Sequence, residues 1–326
     1  MTTLDKQRIY IQEVSVRDGF QIEPRFIPTG QKIALIDALS RTGVAKIEVT
    51  SFTSPKAIPA LADAEAVMSR IQREPGVVYA ALVPNVRGCE RALSCGVDEI
   101  NVVMSASLSH NMANLRMTPE QSLAQFADIA RQADGKAMLN ASLSTAFGCP
   151  FDGEVPLDRV MQLVGRFVDM GFQGVSLCDT TGMANPRQVG RVCETVGARW
   201  PSLALTAHFH NTRGMGLANA VAAFDAGIRR FDASLGGLGG CPFAPGASGN
   251  VCTEDMVHMF EAMGCDTGVD LDMLIEAART LPDIVQHDVE GQVMKAGPYT
   301  RRYPLPEGAR AALSAVDPAS AAGLPR

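Results

Sequence analysis

Long apolar runs, paired cysteines and basic stretches are all missing from this 326-residue chain. No uninterrupted apolar segment approaches the roughly 18 residues that a membrane span requires. The polar opening MTTLDKQR has neither a signal peptide's apolar stretch nor the Arg/Ser richness of a transit peptide, so a cytoplasmic protein without a membrane partner is expected. The formal net charge is -6 and no long Lys/Arg run occurs, which removes the electrostatic footprint that a nucleic-acid binder needs. The eight cysteines form no CxxC pair, and a chain of this length needs no disulfide framework, so most are expected to be reduced, packed thiols. No GxxxxGK[ST] phosphate loop occurs, and GLGGCP fails the dinucleotide pattern GxGxxG because proline takes the last position.

What is present is a repeating unit. The composition, 46% hydrophobic and 20% charged, is that of an ordinary globular enzyme. Eight short apolar or β-branched runs recur, each bounded by turn residues: Ile9 to Val14, Lys46 to Thr50, Val77 to Val83, Glu99 to Met104, Lys136 to Leu143, Gly174 to Cys178, Leu203 to His210 and Arg229 to Leu235. Between them lie segments with helical spacing, such as GQKIALIDALSRTG and PLDRVMQLVGRFVDMG, that end in glycine as helices tend to. Eight strand–helix units predict an α/β chain closed into a (β/α)8 TIM barrel, with a doubly wound open sheet as the alternative. The barrel is expected over residues 1–285. Residues 286–326, rich in Ala and Pro toward their end, are expected to form a partly helical, partly irregular extension.

A TIM barrel draws its chemistry from the C-terminal ends of its strands and the loops that follow. Polar residues collect there: Arg17 and Asp18 after strand one, Glu48 in strand two, Asp179 at the end of strand six, His208 and His210 at the end of strand seven. Residues i and i+2 of a strand share a face, so the two histidines project together into the barrel mouth, either as metal ligands or as hydrogen-bonded core residues. The chain has only five histidines, and two of them are here. Asp18 can add a carboxylate oxygen once the barrel closes. Asn250 can add an amide oxygen or cap the helix that follows it. Such a mixed oxygen and nitrogen set without thiolate suits Mg²⁺, Mn²⁺ or a similar divalent ion. After strand eight, GGLGGCPFAPGASGN places Cys241 among six glycines.

The segments EVSVRDGFQ, IEVTSF, AFGCPFDG, SLCDTTG, HFHNTRG and SLGGLGGCPFAPGASGN together resemble the 3-hydroxy-3-methylglutaryl-CoA lyases, within the wider group of metal-dependent barrels that also holds Claisen-type synthases. The resemblance is collinear from about Ile9 to about Leu274. It implies a carbon–carbon lyase that takes an acyl-CoA, splits it by retro-aldol chemistry, associates as a dimer and serves leucine breakdown. It also implies Asp18, His208, His210 and Asn250 as metal ligands and Arg17 as the contact to the acyl oxygen. Cys241 falls on the catalytic thiol of the glycine loop, which glycine lets move over a seated CoA ester. Glu48 and Asp179 fall on further catalytic acidic positions, and Gln21, Arg213 and Glu254 are expected to border the substrate. Asn211, Arg213 and Met215 depart from the HxHDTYGQ of these lyases, and Pro24 stands where a basic residue is usual, so a related hydroxyacyl group such as citramalyl-CoA, or a synthase of the same group, stays open. Two readings from other classes are weaker. A Schiff-base aldolase would need a lysine at the active face, whereas Lys46 and Lys136 begin their strands. A non-catalytic binder of metal or CoA esters would not need Cys241.

Overall fold

The computed structural model describes residues 6–240 and 249–309. Eight parallel strands close on themselves: β1 (Tyr10–Glu13), β2 (Lys46–Ser51), β3 (Val78–Leu82), β4 (Glu99–Ser105), β5 (Met138–Ser144), β6 (Gly174–Asp179), β7 (Ala204–Phe209) and β8 (Arg230–Ala233). The barrel seals where β1 pairs β8 through Tyr10↔Arg230 to Glu13↔Ala233. All eight expected runs are strands, with ends that differ by at most two residues. The open-sheet alternative is excluded because neither edge is left unpaired.

The helices between strands follow from their apolar periodicity. Leu157–Asp169 buries Val160, Leu163, Val164 and Phe167, the i, i+3, i+4, i+7 stripe that a helix presents to a core. Pro119–Ala133 begins with a reciprocal capping box in which Thr118 and Gln121 satisfy each other's backbone donors, with Pro119 in the first turn. Outward strand residues such as Ile47, Val102, Val175 and Phe231 are fully buried under this ring and form the main apolar core.

Inside the barrel the packing is polar. A small cavity is lined by Gln12, Lys46, Glu48, Asn101, Ser176 and Asp232, among others. Lys46 is paired there with Glu99, Nζ to Oε1 2.6 Å, near the N-terminal edge of the barrel. That pairing occupies the lysine a Schiff-base aldolase would have drawn on. Among the described residues, the compact unit that holds the barrel ends at Lys295. A second unit begins at Ala296, and its described residues, 296–309, are largely irregular. The seven described cysteines are free thiols, and no helix among the described residues is long and apolar enough to cross a membrane.

Candidate active site

The first strand does not simply end at Val14. Both Arg17 and Asp18 donate their backbone N–H to Val14 O, at 3.1 and 2.7 Å, and Ser15–Gly19 closes as one turn of π-helix, a form enriched at functional sites. Glu13 makes the turn possible. It is fully buried and accepts from Ser15 N at 2.7 Å, Leu235 N at 3.0 Å and Thr253 Oγ1 at 2.6 Å, tying the start of the turn to the chain after β8. The turn swings Arg17 and Asp18 over the barrel mouth, where both are buried.

Asp18 meets the histidines there. One ligand atom each of Asp18, His208 and His210 lies within 4.8 Å of the others. The two Nε2 atoms stand 3.3 Å apart, an approach that suits two nitrogens aimed at one point. His208 Nδ1 is 3.2 Å from Asp232 Oδ2, and a proton on that nitrogen leaves the Nε2 lone pair for a ligand. Asn250 arrives from the far side of the glycine segment through an isolated antiparallel bridge with His210. Its Nδ2 donates to Asp18 Oδ2 at 2.7 Å and to Leu238 O at 3.0 Å, and its Oδ1 is buried with no hydrogen-bond partner. The capping alternative for Asn250 fails: the following helix begins at Thr253, and its cap position is Cys252. A hard carboxylate, two imidazoles and an unsatisfied amide oxygen fit an octahedral divalent cation.

Arg17 is the second centre. Its guanidinium donates to Glu48 Oε2 and, at 2.7 Å, to Asp18 Oδ1, which also accepts from Gln21 Nε2 at 3.0 Å. Burial works against the charge on Arg17, but Glu48 and Asp18 outweigh it and hold its pKa above the ordinary value. Burial also opposes ionisation of Asp18, and Arg17 with the histidines more than offsets it, so this carboxyl lies below its usual range. Asp179 is different. Burial pushes it up to about 6, although Met183 N and Ala184 N donate to Oδ1 at 2.8 and 3.1 Å. Its Oδ2 is buried without a partner.

The glycine segment is seated on this cluster by contacts that admit no side chain. Gly239 has φ +116, and a Cβ there would stand 2.4 Å from Asn250 Nδ2 and 3.2 Å from Asp18 Oδ2. Across the gap, a Cβ on Gly249 would stand 1.6 Å from Gly237 O. Cys241 itself lies outside the described residues.

Two expected substrate contacts do not join the cluster. Arg213 is exposed and donates to Thr181 O and Gly182 O, at 2.8 and 3.1 Å, so it ties the loop after β7 to the loop after β6. Glu254 is fully buried beneath the glycine segment, where Oε2 accepts from Gly236 N at 3.1 Å. One residue that the sequence reading passed over, Asp232 of β8, does join it. The signal was a carboxylate inside the apolar run RRFDASL, directly opposite His208 in the β7–β8 register.

An eight-stranded barrel whose C-terminal mouth gathers an aspartate, two histidines and an asparagine beside a buried arginine defines a barrel enzyme with a candidate site for a divalent metal. Residues 8–281 match the HMGL-like family, and the chain belongs to it. It is 49% identical over 279 residues to a hydroxymethylglutaryl-CoA lyase of Bacillus subtilis, covering 85% of this chain and 93% of that one. It is 40% identical over 304 residues to the (R)-citramalyl-CoA lyase of Chloroflexus aurantiacus, covering 90% and 96%. Among solved structures, an HMG-CoA lyase from Acinetobacter baumannii, in complex with coenzyme A and 3-methylmalate, superposes with a TM-score of 0.89 at 50% identity, over 94% of this chain and all of that one.

Proposed function

We propose that this chain is a divalent-metal-dependent carbon–carbon lyase that cleaves 3-hydroxy-3-methylglutaryl-CoA to acetyl-CoA and acetoacetate. The observation that carries the reading is the convergence of Asp18, His208 and His210 beside the Arg17–Glu48 pair, in a chain of the HMGL-like family. Asp18, His208 and His210 would hold Mg²⁺ or Mn²⁺, with Asn250 Oδ1 as a fourth donor. Such an ion, when bound, supplies Lewis-acid chemistry that lowers the pKa of a chelated hydroxyl.

The rest falls to the protein's own groups. Arg17 holds the thioester oxygen, where negative charge gathers as the enolate forms, and its fork is aimed by Glu48 and Asp18. Asp179 takes the tertiary hydroxyl's proton through its unpartnered Oδ2, and a pKa of about 6 suits a base working near neutrality. The C–C bond then breaks, leaving acetoacetate and the thioester enolate. Cys241 gives its thiol proton to the enolate carbon, which completes acetyl-CoA. Gln21 steadies Asp18, and Arg213 and Glu254 act on the loops around the substrate instead of on the substrate itself. We further propose a cytoplasmic homodimer.

Turnover after exhaustive metal stripping and after Mg²⁺ or Mn²⁺ add-back, measured with methylglutaryl and citramalyl esters of CoA, tests this. Activity with the methylglutaryl ester that vanishes on stripping and returns with metal is the expected result. Full activity without metal would sink the mechanism, and preference for the citramalyl ester would reassign the substrate.

A further inference from the structure

Beneath the Arg17–Glu48 pair, one buried amide has both of its ends committed. Asn101, in β4, donates from Nδ2 to Glu48 Oε1 at 2.8 Å. Its Oδ1 accepts from Asn140 Nδ2 and from Ser142 Oγ, each at 3.0 Å. Asn140 also donates to Ser176 Oγ at 3.1 Å, so the chain of contacts spans β2, β4, β5 and β6. Gly174 leaves room for it, since a Cβ there would stand 2.5 Å from Asn140 Oδ1. With two donors on its oxygen, the Asn101 amide has one satisfied orientation, the one that turns its NH₂ toward Glu48. Turned over, it would set its NH₂ against the NH₂ of Asn140 and its oxygen against the Glu48 carboxylate.

We infer that Asn101 is a positioning residue, which fixes Glu48 as the acceptor that aims the Arg17 guanidinium at the substrate's acyl oxygen. The inference rests on the lyase reading above. Glu48 has two oxygens and two duties: Oε2 faces Arg17, and Oε1 faces Asn101. Without the Asn101 donor, Oε1 is a buried acceptor with nothing to bond, and the carboxylate gains a reason to rotate away from Arg17. A displacement of that kind acts where charge develops in the transition state, so it lowers kcat more than it raises KM.

The test compares wild type, Asn101→Asp and Asn101→Ser, metal-loaded, for kcat and KM with the methylglutaryl ester between about pH 6 and 9, alongside thermal unfolding and Mn²⁺ binding. The Asn101→Asp change keeps an acceptor for Asn140 and Ser142 but sets a second carboxylate oxygen against Glu48, in a cavity where Asp232 adds negative charge, Lys46 is already paired with Glu99 and Arg17 is already shared with Asp18, so the new pair favours holding one proton between them. The expected N101D enzyme stays within about 3-fold of wild-type kcat at pH 6 and falls roughly 30-fold or more by pH 9 along a new alkaline limb, with KM within about 3-fold. N101S, whose shorter side chain withdraws the amide donor from Glu48 without adding charge, is expected to lose about 10-fold in kcat with KM and Mn²⁺ affinity little changed. A wild-type pH profile in N101D, or a loss equal at every pH that follows a fallen melting temperature, overturns the inference. If N101D does not fold, N101S decides alone, and a kcat within about 2-fold of wild type overturns it. A wild-type enzyme that leaves the ester intact overturns the lyase reading and this inference with it. A wild type that cleaves the ester while both variants match it overturns the inference alone.

Discussion

At the scale of the residue, the site is a set of carboxylates with unequal environments. Asp18 sits among cations and hydrogen-bond donors, and it is held ionised. Asp179 is buried with one oxygen unpartnered, which favours its protonated form up to about 6. Asp232 has a third role, because it faces His208 Nδ1 and so selects which ring nitrogen points at the cation site. Replacing Asp232 by Asn removes the charge that makes His208 a better donor while preserving shape. The expected result is Mn²⁺ binding weakened by about 10- to 100-fold, read by titration of the metal-free enzyme, with the fold intact. Unchanged affinity would mean that Asp232 is only a packing residue. Strand alternation alone placed His208 and His210 on one face, and Asp18 was legible from its place shortly after the first strand. Asp232 and Asn101 were not, because their roles depend on how far neighbouring strands are staggered. A single chain's periodicity does not contain that register.

At the scale of the element, the glycine segment shows why its ends and its middle differ. Gly237 and Gly239 take left-handed backbone conformations with no room for a side chain, and Gly249 packs directly on Gly237 O. The two ends therefore meet over Asp18 and Asn250, which fixes where the segment carrying Cys241 is anchored. Gly249→Ala would force backbone apart from backbone. Overpacking of this kind costs about 1–3 kcal/mol. A melting temperature lower by about 5 °C and a kcat reduced by about 10-fold or more are expected, measured by thermal unfolding and steady-state turnover. Wild-type values for both would show that the segment is not seated as described. The abundance of glycine was plain in the sequence, and from it came the expectation that the segment carrying Cys241 moves. That glycine also serves close packing was not, since the neighbours at Gly239 and Gly249 are remote in the chain. The π-turn of Ser15–Gly19 escaped notice for a similar reason. Nothing in SVRDG marks it, and Glu13 stabilises it only through partners at Leu235 and Thr253.

At the scale of the whole molecule, the eight-fold strand–helix rhythm makes a closed barrel readable, but its price is a set of buried acids whose cost falls on global stability. Glu254 is the clearest. It is 0% exposed, its Oε1 has no partner, and burial pushes its pKa up to about 8 from 4.5, with Asp255 and Glu13 adding to the rise. A folded-state pKa above the unfolded one means that the native state holds the proton more tightly. Stability from this group is complete below about pH 4.5 and is lost as pH rises through about 8. The full loss corresponds to on the order of 5 kcal/mol. Glu254→Gln is neutral at every pH and keeps an acceptor for Gly236 N. Metal-free wild type and E254Q should therefore melt within a few degrees of each other at about pH 5. By about pH 8.5 the variant should melt higher, by on the order of 10 °C given the size of the chain. Burial raises Glu13 and Asp179 as well, and both are present in each protein, so the difference between the two melting curves reports Glu254 together with its coupling to Glu13. Parallel curves across this range would show that Glu254 keeps its charge in the folded protein, supported by a contact beyond Gly236.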